Sequence, residues 1–193
     1  MKAFFDIDTQ IDFLFPAGAL YGPGAERVIP AVARLNQHAG ERGIPLISST
    51  CAHPENAAEF RTWPPHCVVD TVGRRKPQAT LLPKRVTILP DKPLNLELGD
   101  TQQIVIEKDD LDMFSNPHVL PLLDHLGIDE CFVYGVFTEY CVQCALTGLL
   151  KSGRRVSLVT EATAHLSDAD GERVVNNFVE SGGRRVTLAD ALR

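Results

Sequence analysis

The middle of the chain carries strand, turn, helix and strand signals in one continuous stretch, residues 130–160, which read ECFVYGVFTEYCVQCALTGLLKSGRRVSLVT. Residues 130–136 form the most apolar run of the sequence and predict a buried strand. Residues 140–152 have helical periodicity and end before Gly153, and residues 155–160 predict the next strand. A strand, a helix and a further strand in this order are typical of a parallel sheet with crossover helices.

The same alternation continues on both sides of this stretch. Further strands are predicted over residues 2–8, 44–50, 104–106 and 185–188, and further helices over residues 28–39, 119–126 and 169–181. About 35 residues after the second strand are rich in Pro, His and Arg and have no periodic element, and so long a loop in a compact domain is usually functional. We therefore predict an α/β protein, a three-layer α/β/α sandwich with a mainly parallel central sheet. No repeat or linker divides the sequence, which predicts a single domain over residues 1–193.

Composition narrows the possible partners. The 193 residues are 44% hydrophobic and 23% charged, with a formal net charge of −6, so no overall positive field favours a nucleic acid or an anionic membrane. No apolar run approaches the roughly 20 residues that cross a bilayer. The acids Asp6 and Asp8 interrupt the N-terminus before a signal-peptide core can form, and we expect a cytoplasmic protein. Nucleotide cofactors are not expected, because Arg27 stands where the third glycine of a Gly22-Pro23-Gly24 motif would be needed.

Five cysteines are an odd number spread along the chain, which indicates reduced thiols rather than a disulfide framework. Most such cysteines fill core space. Cys141 differs because it follows a buried strand and a tight turn, at the predicted start of a helix. Unpaired backbone N–H groups at a helix start favour a thiolate and can also hold an oxyanion, which are the two requirements of acyl transfer through a thioester.

Two charged residues follow other predicted strands. Asp8 ends the first strand, and Lys108 follows the strand at residues 104–106. Ligands of parallel sheets bind outside the carboxyl ends of the strands, so Asp8 could take the proton of Cys141 there while Lys108 steadies the thiolate. Each residue alone is more often a turn or surface residue, but together they predict a catalytic site.

These motifs resemble the isochorismatase-like cysteine hydrolases, and among them the nicotinamidases, over nearly the whole chain. Residues 8–13 (DTQIDF) and 16–20 (PAGAL) look like the opening motif of that family, and residues 135–142 (GVFTEYCV) look like its nucleophile motif. The resemblance implies that Asp8 is the general base, Lys108 the catalytic lysine and Cys141 the nucleophile.

The resemblance also implies an oxyanion site and an aromatic pocket. A cis peptide bond before Phe137 is expected to turn the backbone N–H groups of Phe137 and Cys141 toward the oxyanion. Residues 63–68 (WPPHCV) resemble the segment that supplies an aromatic wall, so Phe13, Trp63 and Phe137 are the expected substrate contacts.

A divalent metal site and a homo-oligomer are further implications of the resemblance. The family takes its metal ligands from an Asp-x-His pair after the second strand and from a later His, which are Cys51, His53 and His66 in this sequence, with Glu59 as a further ligand. A cysteine in place of the aspartate favours zinc. Two loop histidines beside a core cysteine are the alternative interpretation. A bulky Phe137 and an Asp109 after the lysine are further departures from the family pattern.

The function that the resemblance favours is hydrolysis of a small carboxamide, nicotinamide, to nicotinate and ammonia through a thioester. Hydrolysis of another small amide or of a carbamoyl or ureido compound is the nearest alternative, and cleavage of a vinyl ether is more distant because it needs no thiol. Two alternatives come from other classes: a thiol oxidoreductase that uses Cys141 and Cys144 as a C-x-x-C pair, and a catalytically silent binding protein.

Overall fold

The core of the computed structural model, which describes residues 1–193, is a seven-stranded sheet. In chain order the strands are β1 (Lys2–Ile7), β2 (Leu46–Cys51), β3 (Arg85–Ile88), β4 (Gln103–Lys108), β5 (Glu130–Gly135), β6 (Arg155–Thr163) and β7 (Arg184–Val186). Across the sheet their order is β3-β4-β2-β1-β5-β6-β7, and every neighbouring pair is parallel. The prediction of an α/β fold with a parallel sheet is confirmed.

Helices cover both faces of this sheet. They are α1 (Ile11–Leu14), α2 (Ile29–Arg42), α3 (Val119–His125), α4 (Gln143–Lys151), α5 (Asp168–Glu180) and α6 (Leu188–Ala191). Residues of α2 and α6 share a core with Phe4 of β1, whereas residues of α3, α4 and α5 share a second core with Phe5. Successive strand residues point to opposite faces, so both faces of a central strand are buried, and the polar residues Asp6 of β1 and Ser48 and Ser49 of β2 are buried with the apolar ones. None of the helices combines the length and the apolarity that crossing a bilayer requires.

The end of β5 lies beside the end of β1 in the sheet, with Gly135 opposite Ile7. Gly135 has a φ of +122°, and a side-chain Cβ at this position would overlap the carbonyl oxygen of Ile7. Only glycine permits both the conformation and the close approach. As a result, the chain that leaves β5 passes beside the residue that leaves β1, which is Asp8.

Several elements differ from the sequence predictions. The four-residue helices α1 and α6 were not predicted, and Leu188, predicted as the end of the last strand, begins α6. The short edge strand β3 was not predicted, because its four residues follow a loop without periodicity. The helix predicted from Tyr140 begins instead at Gln143, since residues Thr138–Val142 form a wide turn in which Tyr140 has φ −125° and ψ −108°. Apolar residues continue at helical spacing through this turn, which is why the pattern placed Cys141 inside the helix. Cys141 lies on the turn that precedes α4.

Buried polar contacts fix the long loop between β2 and β3 against the sheet. Lys76 of the loop is 3.0 Å from Asp6 of β1, and both side chains are almost fully buried. The Asn36 amide donates to Asp6 at 2.8 Å and to the carbonyl of Thr80 at 2.7 Å, and Tyr134 donates to Asn36 at 2.6 Å. Buried polar groups need such partners, and here the partners come from three different parts of the chain. The loop is therefore held in one position.

Candidate active site

Four chemically active side chains lie at one edge of the sheet. Cys51 is the last residue of β2 and pairs with Lys108, the last residue of β4. Asp8 directly follows β1, and Cys141 lies on the turn after β5. Since β4, β2, β1 and β5 are adjacent in the sheet, their carboxyl ends bring the four residues to the position where parallel sheets bind ligands.

Asp8, Lys108 and Cys141 are brought together, as the sequence analysis predicted. The ammonium nitrogen of Lys108 is 2.9 Å from Oδ2 of Asp8 and 3.7 Å from Sγ of Cys141. The hydroxyl of Ser49 donates to Oδ1 of Asp8 at 2.6 Å, and Lys108 also donates to the carbonyl of Asp110 at 2.8 Å. These contacts fix the carboxylate and the ammonium beside the sulfur atom.

The Asp8 and Lys108 pair is charged although it is buried. Burial alone raises the pKa of Asp8, but the Lys108 ammonium and hydrogen bonds from neighbouring side chains outweigh it, so the pKa lies below its ordinary value. Burial alone lowers the pKa of Lys108, but the charge of Asp8 outweighs it and the pKa lies well above its ordinary value. A carboxylate next to the thiol is the state that general-base chemistry requires.

The thiols of Cys51 and Cys141 shift each other's pKa. A hydrogen bond between the two thiols, with the Lys108 ammonium at 3.1 Å from the Cys51 sulfur, lowers the pKa of Cys51 to about 6. The same hydrogen bond and burial raise the pKa of Cys141. Burial raises the pKa of Cys67 and Cys131, which are core thiols, and all five cysteines are free.

The turn that carries Cys141 leaves a backbone donor without a partner. The peptide bond between Val136 and Phe137 is cis, as the resemblance implies. The N–H of Thr138 donates to Ala164 at 2.9 Å, whereas the N–H of Phe137 donates to no acceptor in the protein. Unpaired backbone N–H groups beside a nucleophile are the donors of oxyanion holes.

A small apolar cavity lies beside the Cys141 sulfur. Its volume is about 30 Å³, which holds one or two water molecules. Its wall contains the three predicted substrate contacts, and its lining residues are Phe13, Leu20, Glu59, Trp63, Leu111, Val136, Phe137, Tyr140, Cys141 and Leu166. The rings meet edge to face, with centroids 5.8 Å apart for Phe13 and Phe137 and 5.3 Å apart for Trp63 and Tyr140. A flat ring bound here would be held between aromatic walls once these side chains move apart.

A group of three side chains that could bind a metal ion adjoins this cavity. The ligand atoms of His53, Glu59 and His66 all lie within 4.8 Å of one another. Both ring nitrogens of His53 are buried without a hydrogen-bond partner, which is costly unless something else binds them. Nδ1 of His66 lies 2.8 Å from the carbonyl of Pro64, so its Nε2 is the atom directed at the group. Burial lowers the pKa of His66, which favours the neutral ring that binds metals. The residues fit a zinc ion with nitrogen and oxygen ligands.

The fourth predicted metal ligand, Cys51, lies between the two groups. Its sulfur lies within 4.8 Å of ligand atoms of Asp8 and Cys141 and contacts Lys108. It also borders His53: burial lowers the pKa of His53, but Cys51 and Glu59 outweigh burial and raise it. Sequence reasoning missed Ser49 as a partner of Asp8. The signal was available, since residues 49 and 51 of one strand point to the same side.

Comparisons with known proteins identify relatives of this chain. The family model of the isochorismatase domain matches residues 2–190. The nicotinamidase of Escherichia coli is 26% identical over 98% of this chain and 96% of its own length, and the nicotinamidase of Saccharomyces cerevisiae is 24% identical over 93% and 94%. The pyrazinamidase of Pyrococcus horikoshii, solved in complex with zinc, is 26% identical and superimposes with a TM-score of 0.80 over 96% of this chain and 98% of that one. The chain belongs to the isochorismatase family, among its nicotinamidase-like members.

Proposed function

We propose that this protein hydrolyses nicotinamide to nicotinate and ammonia, with Cys141 as nucleophile. The chain is a hydrolase of amide C–N bonds, as its family and its relatives indicate. One observation supports the finer assignment above others: the Asp8, Lys108 and Cys141 group opens onto a cavity whose walls are aromatic.

The first half of the reaction forms a thioester. Asp8 accepts the proton of Cys141, and the sulfur attacks the carboxamide carbon. The N–H groups of Phe137 and Cys141 hold the negative charge that develops on the carbonyl oxygen. Asp8 then returns the proton to the departing nitrogen, and ammonia leaves as the C–N bond breaks. Lys108 keeps Asp8 ionised and lies close enough to the sulfur to stabilise the thiolate.

The second half releases the acid. Asp8 takes a proton from a water molecule, and the hydroxide attacks the thioester carbon. The same N–H groups hold the oxyanion again, and the C–S bond breaks to give nicotinate and the Cys141 thiolate, which recovers its proton from Asp8. Atoms balance over the cycle, since one amide and one water give one acid and one ammonia.

We assign the orientation of the substrate to the aromatic wall and to the group of metal ligands beside it. Phe13, Trp63 and Phe137 pack on the faces and edges of the pyridine ring. A zinc ion bound by His53, Glu59 and His66 would supply a Lewis acid for the ring nitrogen. Glu59 lines the cavity as well as the ligand group, so the two sites are continuous. Cys51, predicted as a further ligand from the resemblance, lies beside both Lys108 and His53, and its role as a ligand stays a prediction.

Carbamoyl and ureido compounds are the second candidate substrates, because the same nucleophile would act on them. The mostly apolar cavity wall supports the aromatic amide instead, since an open-chain urea needs several polar partners.

The homo-oligomer expected from the resemblance stays a prediction, which light scattering on the purified protein tests.

The decisive experiment measures ammonia release from nicotinamide by the purified protein and its Cys141→Ala variant. We expect the variant to remain folded and to lose activity by at least about 1,000-fold, because the nucleophile is gone. Cys144→Ala, two residues after the end of the same turn, is the matched control and should keep its activity. Normal activity of the Cys141→Ala variant would refute the mechanism. Faster turnover of N-carbamoyl compounds than of nicotinamide would reassign the substrate.

A further inference from the structure

The thiol of Cys51 has no role in the hydrolysis described above, yet it lies in the centre of the catalytic group. Its side chain is 2% exposed, and its sulfur is 3.1 Å from Nζ of Lys108 and 3.7 Å from Oδ2 of Asp8. The sulfur of Cys141 is 3.7 Å from the same Nζ. The two sulfur atoms lie within 4.8 Å of each other. A second thiol therefore faces the nucleophile inside one closed site.

This separation can be closed by side-chain rotation. A disulfide has an S–S distance of about 2.05 Å, so the two sulfurs need to approach by at most about 3 Å. Rotation about the Cα–Cβ bond from one staggered position to another moves a cysteine sulfur over a comparable distance. The ammonium of Lys108 stabilises the thiolate of either cysteine, which is the reactive form in thiol oxidation and exchange.

The cavity beside Cys141 is the route by which an oxidant reaches these sulfurs. Cys141 is only 6% exposed, and the cavity that it borders is lined mostly by apolar side chains. Hydrogen peroxide is small and uncharged, and it is smaller than the proposed carboxamide substrate, so it can enter wherever that substrate enters. A peptide disulfide such as oxidised glutathione is charged and far larger than that substrate. A small peroxide is therefore the chemical class of oxidant that fits the site.

We propose that hydrogen peroxide links Cys51 and Cys141 in a reversible disulfide that removes the nucleophile and protects it from further oxidation. The Cys141 thiolate attacks one peroxide oxygen, the O–O bond breaks, and Cys141 becomes a sulfenic acid while the released hydroxide takes up the thiol proton as water. The Cys51 thiolate then attacks the Cys141 sulfur, the S–O bond breaks, and a second water leaves. In sum two thiols and one peroxide give one disulfide and two waters. A dithiol reductant reverses the link by exchange.

The experiment treats the purified full-length protein with hydrogen peroxide and measures intact and peptide masses. We expect a loss of about 2 Da, a cross-linked peptide pair that contains Cys51 and Cys141, and full recovery of both thiols with dithiothreitol. In Cys51→Ala the link cannot form, so Cys141 should proceed to the sulfinic acid, a gain of about 32 Da that dithiothreitol does not reverse. Cys144→Ala is the matched control and should form the link as the unmodified chain does.

Two results would overturn the proposal. One is a sulfinic acid at Cys141 of the unmodified chain that forms as fast as in Cys51→Ala, without the loss of about 2 Da. The other is a cross-link from Cys141 to Cys144. Because masses are read without substrate, the test is separate from the proposed function: a chain that forms the disulfide but does not hydrolyse nicotinamide would refute only the latter.

Discussion

Replacing Lys108 by methionine tests whether the buried charge pair holds the site together. The substitution keeps the length of the side chain and removes the charge. It leaves the Asp8 carboxylate buried without the cation that is 2.9 Å away, and it removes a donor from the carbonyl of Asp110. Loss of one partner of a buried ion pair costs about 3–5 kcal/mol, and we expect this decrease in the free energy of unfolding at pH 8. For a chain of this size the melting temperature should fall by about 6–20 °C.

The stability that Lys108→Met loses relative to the unmodified chain should become smaller as the pH falls. In the unmodified chain the pKa of Asp8 is below its ordinary value, so the stability that the pair contributes is present above the unfolded-state pKa and is lost only as the pH falls through the lower folded-state pKa. In Lys108→Met the largest effect on Asp8 is burial, which is opposed only by hydrogen bonds such as that from Ser49, and we expect the pKa of Asp8 to rise above its unfolded value. The folded variant then binds a proton as the pH falls, and the difference from the unmodified chain should be smaller at pH 5 than at pH 8.

Urea unfolding followed by circular dichroism measures these differences, and the double variant Asp8→Asn, Lys108→Met completes the cycle. With both charges removed no uncompensated charge remains, so the double variant should be more stable at pH 8 than Lys108→Met alone. A Lys108→Met variant within about 1 kcal/mol of the unmodified chain at pH 8, or a double variant whose cost is the sum of the two single costs, would refute this reasoning.

Three further substitutions test other parts of the structure. In Gly22→Ala the new Cβ would overlap the ring of Phe137, so we expect the ring to move into the cavity and the KM for nicotinamide to rise by about tenfold, as steady-state kinetics would measure. His66→Ala should lower zinc affinity by at least about tenfold, measured by competition with a chelating dye, and unchanged affinity would place the metal elsewhere. Asn36→Leu removes partners of Asp6 and Tyr134 and should lower the free energy of unfolding by roughly 2–4 kcal/mol in urea, whereas a loss below about 1 kcal/mol would show that the network is dispensable.

The sheet and the catalytic group could be predicted from the sequence because their signals are local. Apolar runs and helical periods fixed the order of the elements, and residues at strand ends were known to share one edge of a parallel sheet. Asp8 and Lys108 were predicted in this way because each follows a strand that the sequence predicts. Their contact itself, and that of Lys108 with Cys141, required only the correct order of four strands.

The features that escaped prediction depend on contacts between distant residues. Lys76 lies in a loop without periodicity, and no local signal indicates that its partner is Asp6, 70 positions earlier in the chain. The turn before α4 retains the apolar spacing of a helix, which concealed its irregular backbone at Tyr140. For Cys51 the motif indicated a position after a strand but not the direction of the side chain, which the contact with Lys108 defines.

The fixed loop between β2 and β3 has a consequence for how substrate enters. Lys76 and Asp6 are buried together at 3.0 Å, and Arg74 of the same loop is paired with Glu107 at the end of β4. With its backbone anchored at these two points, the loop is a poor candidate for a swinging lid. Admission then falls to the half-buried rings of Trp63 and Tyr140, which meet edge to face at the wall of the cavity. Capture of a small flat molecule would thus be gated by individual rings rather than by refolding of a segment.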